Sequence, residues 1–209
     1  MDHALELGRV HRGVPAIQPL VAVTAVNDVN GTNDARVDLA TTIRAVARGD
    51  EDAFARLYAD YVRMVHAIVL GRVPREDVDD LVQDVFVSAY VRIRELRNPA
   101  AFGGWLATIA RNRATDHLRH RHEQVELPDD VAGGDSIQAE AIAVLDVVRK
   151  LPDAYRETLL MRLVEGMSGA EIADRTGLTP ASVRVNLHRG MKLLRDRLDP
   201  KAVHRESRE

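Results

Sequence analysis

Ser168 to Leu198, SGAEIADRTGLTPASVRVNLHRGMKLLRDRL, is the stretch that most narrows what this chain can become. Ser168 followed by Glu171 is the pattern of a capping box, and Ile172 and Ala173 supply the buried side of a short helix that Gly177 should end. Thr179 is placed to cap a second helix with Pro180 at its first position, where a missing N–H costs nothing. In that helix Val183, Leu187, Leu194 and Leu198 recur at helical spacing, leaving Ser182, Val185, Asn186 and Arg189 opposite. Two short helices across a tight turn form a helix-turn-helix pattern, whose second helix can enter a DNA major groove. The plainer alternative is a helical hairpin on a charged surface.

The composition favours helix on helix throughout. Apolar residues make up 45% of the 209, aromatics only 4%, and there is no cysteine, which excludes disulfides, thiolate metal sites and cysteine nucleophiles. No apolar run is long enough to cross a bilayer and the start lacks the basic character of a signal peptide, so a cytoplasmic protein without membrane insertion is expected. The formal net charge of −3 is awkward for a chain that grips DNA unaided. Where the charges sit therefore matters more than their sum.

Residues 1–36, with Pro15 and Pro19 and an apolar piece from Leu20 to Val26, are expected to be a poorly ordered extension; a weak targeting segment or a misplaced start codon would look the same. From Asp38 a helical period begins. Leu39, Ile43 and Val46 mark a short helix that Gly49 ends; Asp50 caps the next, in which Phe54, Leu57, Tyr58, Tyr61, Val65 and Ile68 form the core side up to Gly71. Pro74 should open a third helix with Val78, Leu81, Val82, Val85, Ala89 and Ile93 inward. Its other side carries Glu76, Asp77, Asp79, Asp80 and Asp84, either a well-capped solvated face or a docking surface for a basic partner.

Arg94 to Ala101 breaks the period. A fourth helix follows, with Leu106, Ile109, Ala110, Ala114 and Leu118 as its stripe and Thr108, Arg111, Asn112, Thr115 and Arg119 opposite. That basic, donor-rich side suits a nucleic-acid backbone or unstacked bases. Trp105 could stack on a base, but its place beside Leu106 favours the core. His117, His120 and His122 lack acidic or cysteine companions at a recurrent spacing, so a basic helix end is favoured over a metal site.

From Glu123 to Val148 there are seven acids and no Lys or Arg, and Pro128, Gly133 and Gly134 make the first part a linker. Such a tether could repel DNA or occupy a basic channel as its mimic. Ile142, Leu145 and Val148 then resume a helix. Tyr155, Leu159, Leu160 and Leu163 mark another, before the helix-turn-helix. The expected fold is all-α: an extension (1–36), a helical domain (37–122), an acidic linker (123–149), a helix-turn-helix domain (150–199) and a tail (200–209). No Ser-His-Asp elbow, phosphate-binding glycine loop or metal cluster is present, so neither catalysis nor a cofactor is expected.

GDEDAFARLYADY, DDLVQDVFVSAY, FGGWLATIARNRATDHLR and LPDAYRETLLMRLVEGMSGAEIADRTGLTPASVRVNLHRG, in that order around an acidic linker, resemble the extracytoplasmic-function sigma factors of bacterial RNA polymerase. The resemblance spans Asp38 to Leu198. It implies that Asp79, Asp80, Gln83 and Asp84 bind the beta-prime clamp of core RNA polymerase. It places Arg97, Asn98, Thr108, Arg111, Asn112, Thr115 and Arg119 at the minus-ten element, where a base is flipped from the stack, and Ser182, Arg184, Val185, Asn186, His188, Arg189 and Lys192 at the minus-thirty-five element. It further implies contact with the beta flap, a linker threading toward the polymerase channels, and an anti-sigma partner. Val185, Asn186, Gly190 and Met191 depart from the family's usual residues, so promoter preference does not carry over. Free factor should bind promoter DNA poorly, since polymerase supplies most phosphate contacts. The alternative is an autonomous helix-turn-helix regulator, which would bind its promoter without polymerase. The first reading requires Asp80 and Asp84 to face outward and the Arg189 surface to stay open.

Overall fold

Asp50 begins the longest apolar helix as its spacing predicts, its carboxylate accepting the Ala53 N–H at 2.9 Å. The structure, a computed structural model, describes residues 34–124 and 136–198, with side chains for 39–121 and 141–198. The expected extension up to residue 33, the first part of the linker and the tail lie outside the described residues. Eight α-helices and no strand occur among the described residues: α1 Asp34–Ala47, α2 Glu51–Leu70, α3 Val78–Arg92, α4 Phe102–Gln124, α5 Ser136–Arg149, α6 Asp153–Leu163, α7 Gly169–Thr176 and α8 Pro180–Leu198.

Helices α1 to α4 wrap one apolar centre. Leu57, Tyr61, Val65 and Ile68 recur every three or four residues along α2 and are all buried, together with Val82, Val85 and Phe86 of α3 and Leu106, Ile109 and Ala110 of α4. Two ring pairs of this centre meet edge-on, Phe54 against Tyr90 at 4.9 Å and Tyr61 against Phe102 at 4.9 Å. The break between α3 and α4 is not a featureless loop: it holds two 3₁₀ turns, Ile93–Glu95 and Pro99–Ala101, the first tied to α1 by Arg94, whose Nε donates to the Ala47 carbonyl at 2.9 Å.

Helices α5 to α8 form the second body. Leu159, Leu160 and Met161 of α6 are buried with Ile172 of α7 and Val183 and Leu194 of α8. Helix α5 occupies the second half of the acidic stretch and packs on α6 and α8. The two bodies are not apart: α6 lies on α2, α7 on both α2 and α4, and one buried cluster runs through both.

Several expectations need correction. Helix α1 begins at Asp34, inside the predicted extension. Pro74 precedes a 3₁₀ turn, Arg75–Asp77, and α3 starts only at Val78. Leu163, Ile142 and Leu198, assigned to core stripes by period, are exposed at 52%, 50% and 43%. Two of them stand at helix ends: Leu163 ends α6 just before the turn at Gly166 (φ 64), and Leu198 ends α8. Helix α5 turns inward only further on, through half-buried Leu145 and buried Val148.

Candidate nucleic-acid interface

The turn that presents α8 is assembled from short-range hydrogen bonds. Glu171 N–H donates to the Ser168 hydroxyl at 3.1 Å and Ser168 N–H donates to the Glu171 carboxylate at 2.6 Å, so two otherwise unpartnered donors at the start of α7 are satisfied reciprocally. Those bonds hold the Glu171 carboxyl below its ordinary range, the Ser168 backbone N–H being the largest cause. Gly177 ends α7 in the left-handed region (φ 75), which a side chain would disfavour. Thr179 then caps α8, its hydroxyl accepting the Ser182 N–H at 3.1 Å.

Val183, Gly190 and Leu194 turn α8 inward. Arg184, Val185, His188, Arg189 and Lys192 are exposed, and no ion pair or hydrogen bond engages the side chains of Arg184, Arg189, Lys192 or Arg195 among the described residues. Asn186 is half-buried rather than fully outward, and the Ser182 hydroxyl lies 2.8 Å from that of Thr179, within the cap. Leu187, His188, Met191, Lys192 and Arg195 line a shallow, partly apolar depression on this helix.

On the first body the acids at and just before the start of α3 divide. Leu81, Val82, Val85 and Phe86 face the core, which leaves Asp79, Asp80, Gln83 and Asp84 exposed and free of ion pairs among the described residues. Glu76 and Asp77 do not belong to that open face. Arg121 reaches Asp77 at 2.5 Å and Glu76 at 3.4 Å, and His117 Nε2 lies 2.9 Å from Asp77, so these two acids hold the far end of α4.

The residues assigned to the minus-ten element fare unevenly. Arg97 and Asn112 are exposed with no side-chain partner among the described residues. The Asn98 side chain accepts the Ala100 N–H at 3.1 Å and so shapes the turn before α4. The hydroxyls of Thr108 and Thr115 donate to carbonyls one helical turn back, both at 2.9 Å, and Arg119 lies 3.7 Å from Asp116. Arg111, expected on an open basic side, is paired with Glu157 of α6: the second body lies over this part of α4. Trp105 is half-buried, its ring 5.8 Å from that of Phe102. No group of three His, Asp or Glu side chains among the described residues could hold a metal ion.

Cross-body contacts are what sequence reasoning missed. Glu157 is 6% exposed and meets Arg72 at 2.8 Å as well as Arg111; Arg72 also meets Asp153 at 2.6 Å. His66 Nδ1 lies 2.6 Å from Glu165, Arg175 lies 3.2 Å from Asp60 and its guanidinium sits 5.0 Å above the Tyr61 ring. Arg149 donates to the carbonyls of Leu70 and Val73 at 3.2 and 2.9 Å. The one available signal was Glu157 itself, an acid placed three and four residues before Leu160 and Met161 and so on their apolar stripe.

An exposed, cationic second helix capped across a glycine turn defines a helix-turn-helix protein, the class whose second helix can enter a DNA major groove. Residues 57–123 match the family described as Sigma-70 region 2, and residues 141–194 match Sigma-70, region 4. The RNA polymerase sigma factor CarQ of Myxococcus xanthus is 35% identical over 161 residues, 72% of this chain and 91% of that protein. The ECF RNA polymerase sigma factor SigW of Bacillus subtilis is 28% identical over 178 residues, covering 75% and 94%. The solved structure of CnrH in complex with the cytosolic domain of CnrY aligns at a TM-score of 0.51 with 28% identity, over 78% of this chain and 96% of that one. The chain belongs to the extracytoplasmic-function sigma factors of bacterial RNA polymerase, and it acts in promoter recognition for transcription initiation. That membership favours a polymerase subunit over an autonomous regulator.

Proposed function

We propose that the two exposed surfaces divide the work of initiation by charge. Asp79, Asp80, Gln83 and Asp84 dock on the beta-prime clamp of core polymerase; Arg184, Val185, Asn186, His188, Arg189 and Lys192, with Ser182 at the cap, read the minus-thirty-five element. Arg97, Asn98, Thr108, Arg111, Asn112, Thr115 and Arg119 hold the melted minus-ten strand. The observation that carries this reading is that Asp79, Asp80 and Asp84 of α3 and Arg184, Arg189 and Lys192 of α8 are exposed and make no ion pair or side-chain hydrogen bond among the described residues. Charges left unpaired on a surface rich in opposite charges are available to another molecule.

The domain division follows: 37–122 engages polymerase and the minus-ten element, 150–199 the minus-thirty-five element, with α5 assigned to the second body by its packing. The stretch 123–149 begins as a tether and threads the polymerase, and the second body meets the beta flap. Among the described residues no helix is long and apolar enough to cross a membrane. The proposed place of action is the cytoplasm, and the proposed control is an anti-sigma protein, in line with the capture of CnrH by the cytosolic domain of CnrY.

Run-off transcription with core polymerase on a genomic promoter library tests the reading. Promoter-specific products are expected with the chain and not without it, and Gln83→Ala with Asp84→Ala should weaken polymerase binding about tenfold. Promoter binding by the purified chain alone, undiminished by the absence of polymerase, would overturn it.

A further inference from the structure

The end of α1 and the connection from α3 to α4 bring Arg44, Arg48, Arg94 and Arg97 onto one exposed surface, of which only Arg97 has been given a role. Arg44 and Arg48 share a face of α1, about 6 Å apart along its axis at ~1.5 Å per residue. Ala47 lies at the edge of that face, and Arg94 Nε donates to its carbonyl at 2.9 Å. Both 3₁₀ turns of the connection pack on α1, and Arg97 and Asn98 stand between them. Capping of α1 does not account for these cations. Its last carbonyls already have donors: Ala45 accepts the Arg48 N–H at 2.9 Å, Val46 the Gly49 N–H at 2.8 Å, and Ala47 accepts from Arg94. No ion pair or hydrogen bond engages the side chains of Arg44, Arg48 or Arg97 among the described residues. The acids nearest in sequence are committed elsewhere. Asp50 caps α2 through the Ala53 N–H, Glu51 and Asp52 stand in the first turn of that helix, and Glu95 lies 3.1 Å from Arg92.

We propose that Arg44, Arg48 and Arg94 form a phosphate-binding track for single-stranded DNA, which continues the minus-ten contact onto the melted strand downstream of that element. That this strand is the one bound rests on the assignment of Arg97 and Asn98 to the minus-ten element. The turn Pro99–Ala101 joins the two surfaces: α4 leaves it in one direction and α1 packs against it. With α4 given to the minus-ten element itself, the α1 side is left for the strand that runs on from it, unpaired in an open promoter. Arg94 is fixed in place by the bond to Ala47, and its terminal nitrogens have no partner among the described residues. Guanidiniums bind phosphate oxygens in pairs without reading sequence, and two of them one turn apart on a helix suit successive phosphates of an extended strand. An acidic protein would meet the same charges, but continuity with the Asn98 turn favours DNA.

Fluorescence anisotropy of a labelled twelve-residue oligothymidylate with the full chain tests the track, in a background carrying Arg184→Ala, Arg189→Ala and Lys192→Ala so that α8 does not compete. Adding Arg44→Ala and Arg48→Ala should weaken binding about tenfold and reduce the slope of log affinity against log salt by about 1.4, at ~0.7 per phosphate contact on a single strand. Arg44→Lys with Arg48→Lys should keep the slope, since both charges remain. An unchanged slope in the alanine pair with native helicity overturns the track. Loss of core-polymerase capture with strand binding intact overturns it too and assigns the surface to an acidic protein. On a promoter recovered by run-off transcription, the alanine pair in the otherwise parent chain should shorten the open-complex lifetime about tenfold, and an unchanged lifetime overturns the downstream placement. Run-off by the parent chain reports on the proposed function separately: a parent that directs no transcription, while the alanine pair still loses the oligothymidylate, would sink that reading and leave the track standing.

Discussion

The guanidinium of Arg111 on α4 and the carboxylate of Glu157 on α6 meet edge to edge, 46 residues apart in the chain, with Nε and Nη2 each donating to a different oxygen. The two partners are unequal. The Glu157 side chain is 8% exposed and is shared with Arg72, itself 9% exposed, whereas Arg111 is 41% exposed. Removing Glu157 takes a carboxylate from two guanidiniums at once and leaves buried Arg72 with Asp153 alone; removing Arg111 leaves Glu157 still paired with Arg72. Glu157→Ala should therefore cost about 3 kcal/mol in urea unfolding of the full chain and Arg111→Ala about 1, because solvent screens the exposed partner. The double-mutant coupling should be about 1 kcal/mol, and additive effects would show that the contact does not form in solution.

The capping box of α7 makes a prediction with a pH signature. Ser168→Ala removes the acceptor of the Glu171 N–H and should lower stability by about 1 kcal/mol at neutral pH. Glu171→Gln separates the carboxylate's share. Its pKa is depressed, first by the Ser168 backbone N–H, so that share is present above the unfolded value of about 4.3 and fades as pH falls through the lower folded value. Thermal melts of parent and Glu171→Gln should differ at pH 7 and converge near pH 2; a gap that persists in acid would contradict the assignment.

Gly190 sits in the interior of α8, where propensity alone would make Ala about 1 kcal/mol better. Packing reverses the sign. A β-carbon there would lie 3.0 Å from Leu159 Cδ1, 3.1 Å from its Cγ and 3.2 Å from Tyr155 Cβ, all on the facing helix α6. Gly190→Ala should destabilise the second body by about 1–3 kcal/mol through overpacking, read as a lower urea midpoint at unchanged slope. A stabilised variant would mean that α6 and α8 are further apart than described.

What was legible in the chain is what depends on neighbours in sequence. Ser168 with Glu171, Gly177 and Thr179 fix a turn within a dozen residues, and each does what its side-chain chemistry implies. The α2 stripe was equally plain because burial at every third or fourth position is a local pattern. The exposure of Asp80 and Asp84 and of Arg189 followed from the same periodicity. Helix ends were misread, as at Leu163 and Leu198, because period says which side is apolar and not where the neighbour stops. The closed arrangement was out of reach: Arg111 belongs by period to a basic outer side, and only the fold brings Glu157 across to it. A close approach such as that of Gly103 to Arg175 leaves no periodic trace at all.

The pairing of His66 on α2 with Glu165, just beyond α6, makes closure of the two bodies depend on pH. Glu165 raises the His66 pKa above its ordinary value of about 6.5, its hydrogen bond outweighing the opposing effect of burial; Asp79 adds to the rise and Arg75 opposes it, while Arg63 holds the Glu165 carbonyl. A group whose pKa is higher closed than open stabilises the closed form fully below the open-state value and loses that contribution as pH rises through the closed-state value. The bodies should part more readily at pH 8 than at pH 6. With no native cysteine, spin labels at Glu51→Cys on α2 and Asp196→Cys on α8 report the separation of the two bodies; the distance should lengthen over that interval, and His66→Gln should flatten the response while leaving helicity intact. A shift in the opposite direction, or one that survives His66→Gln unchanged, would assign the dependence to another group.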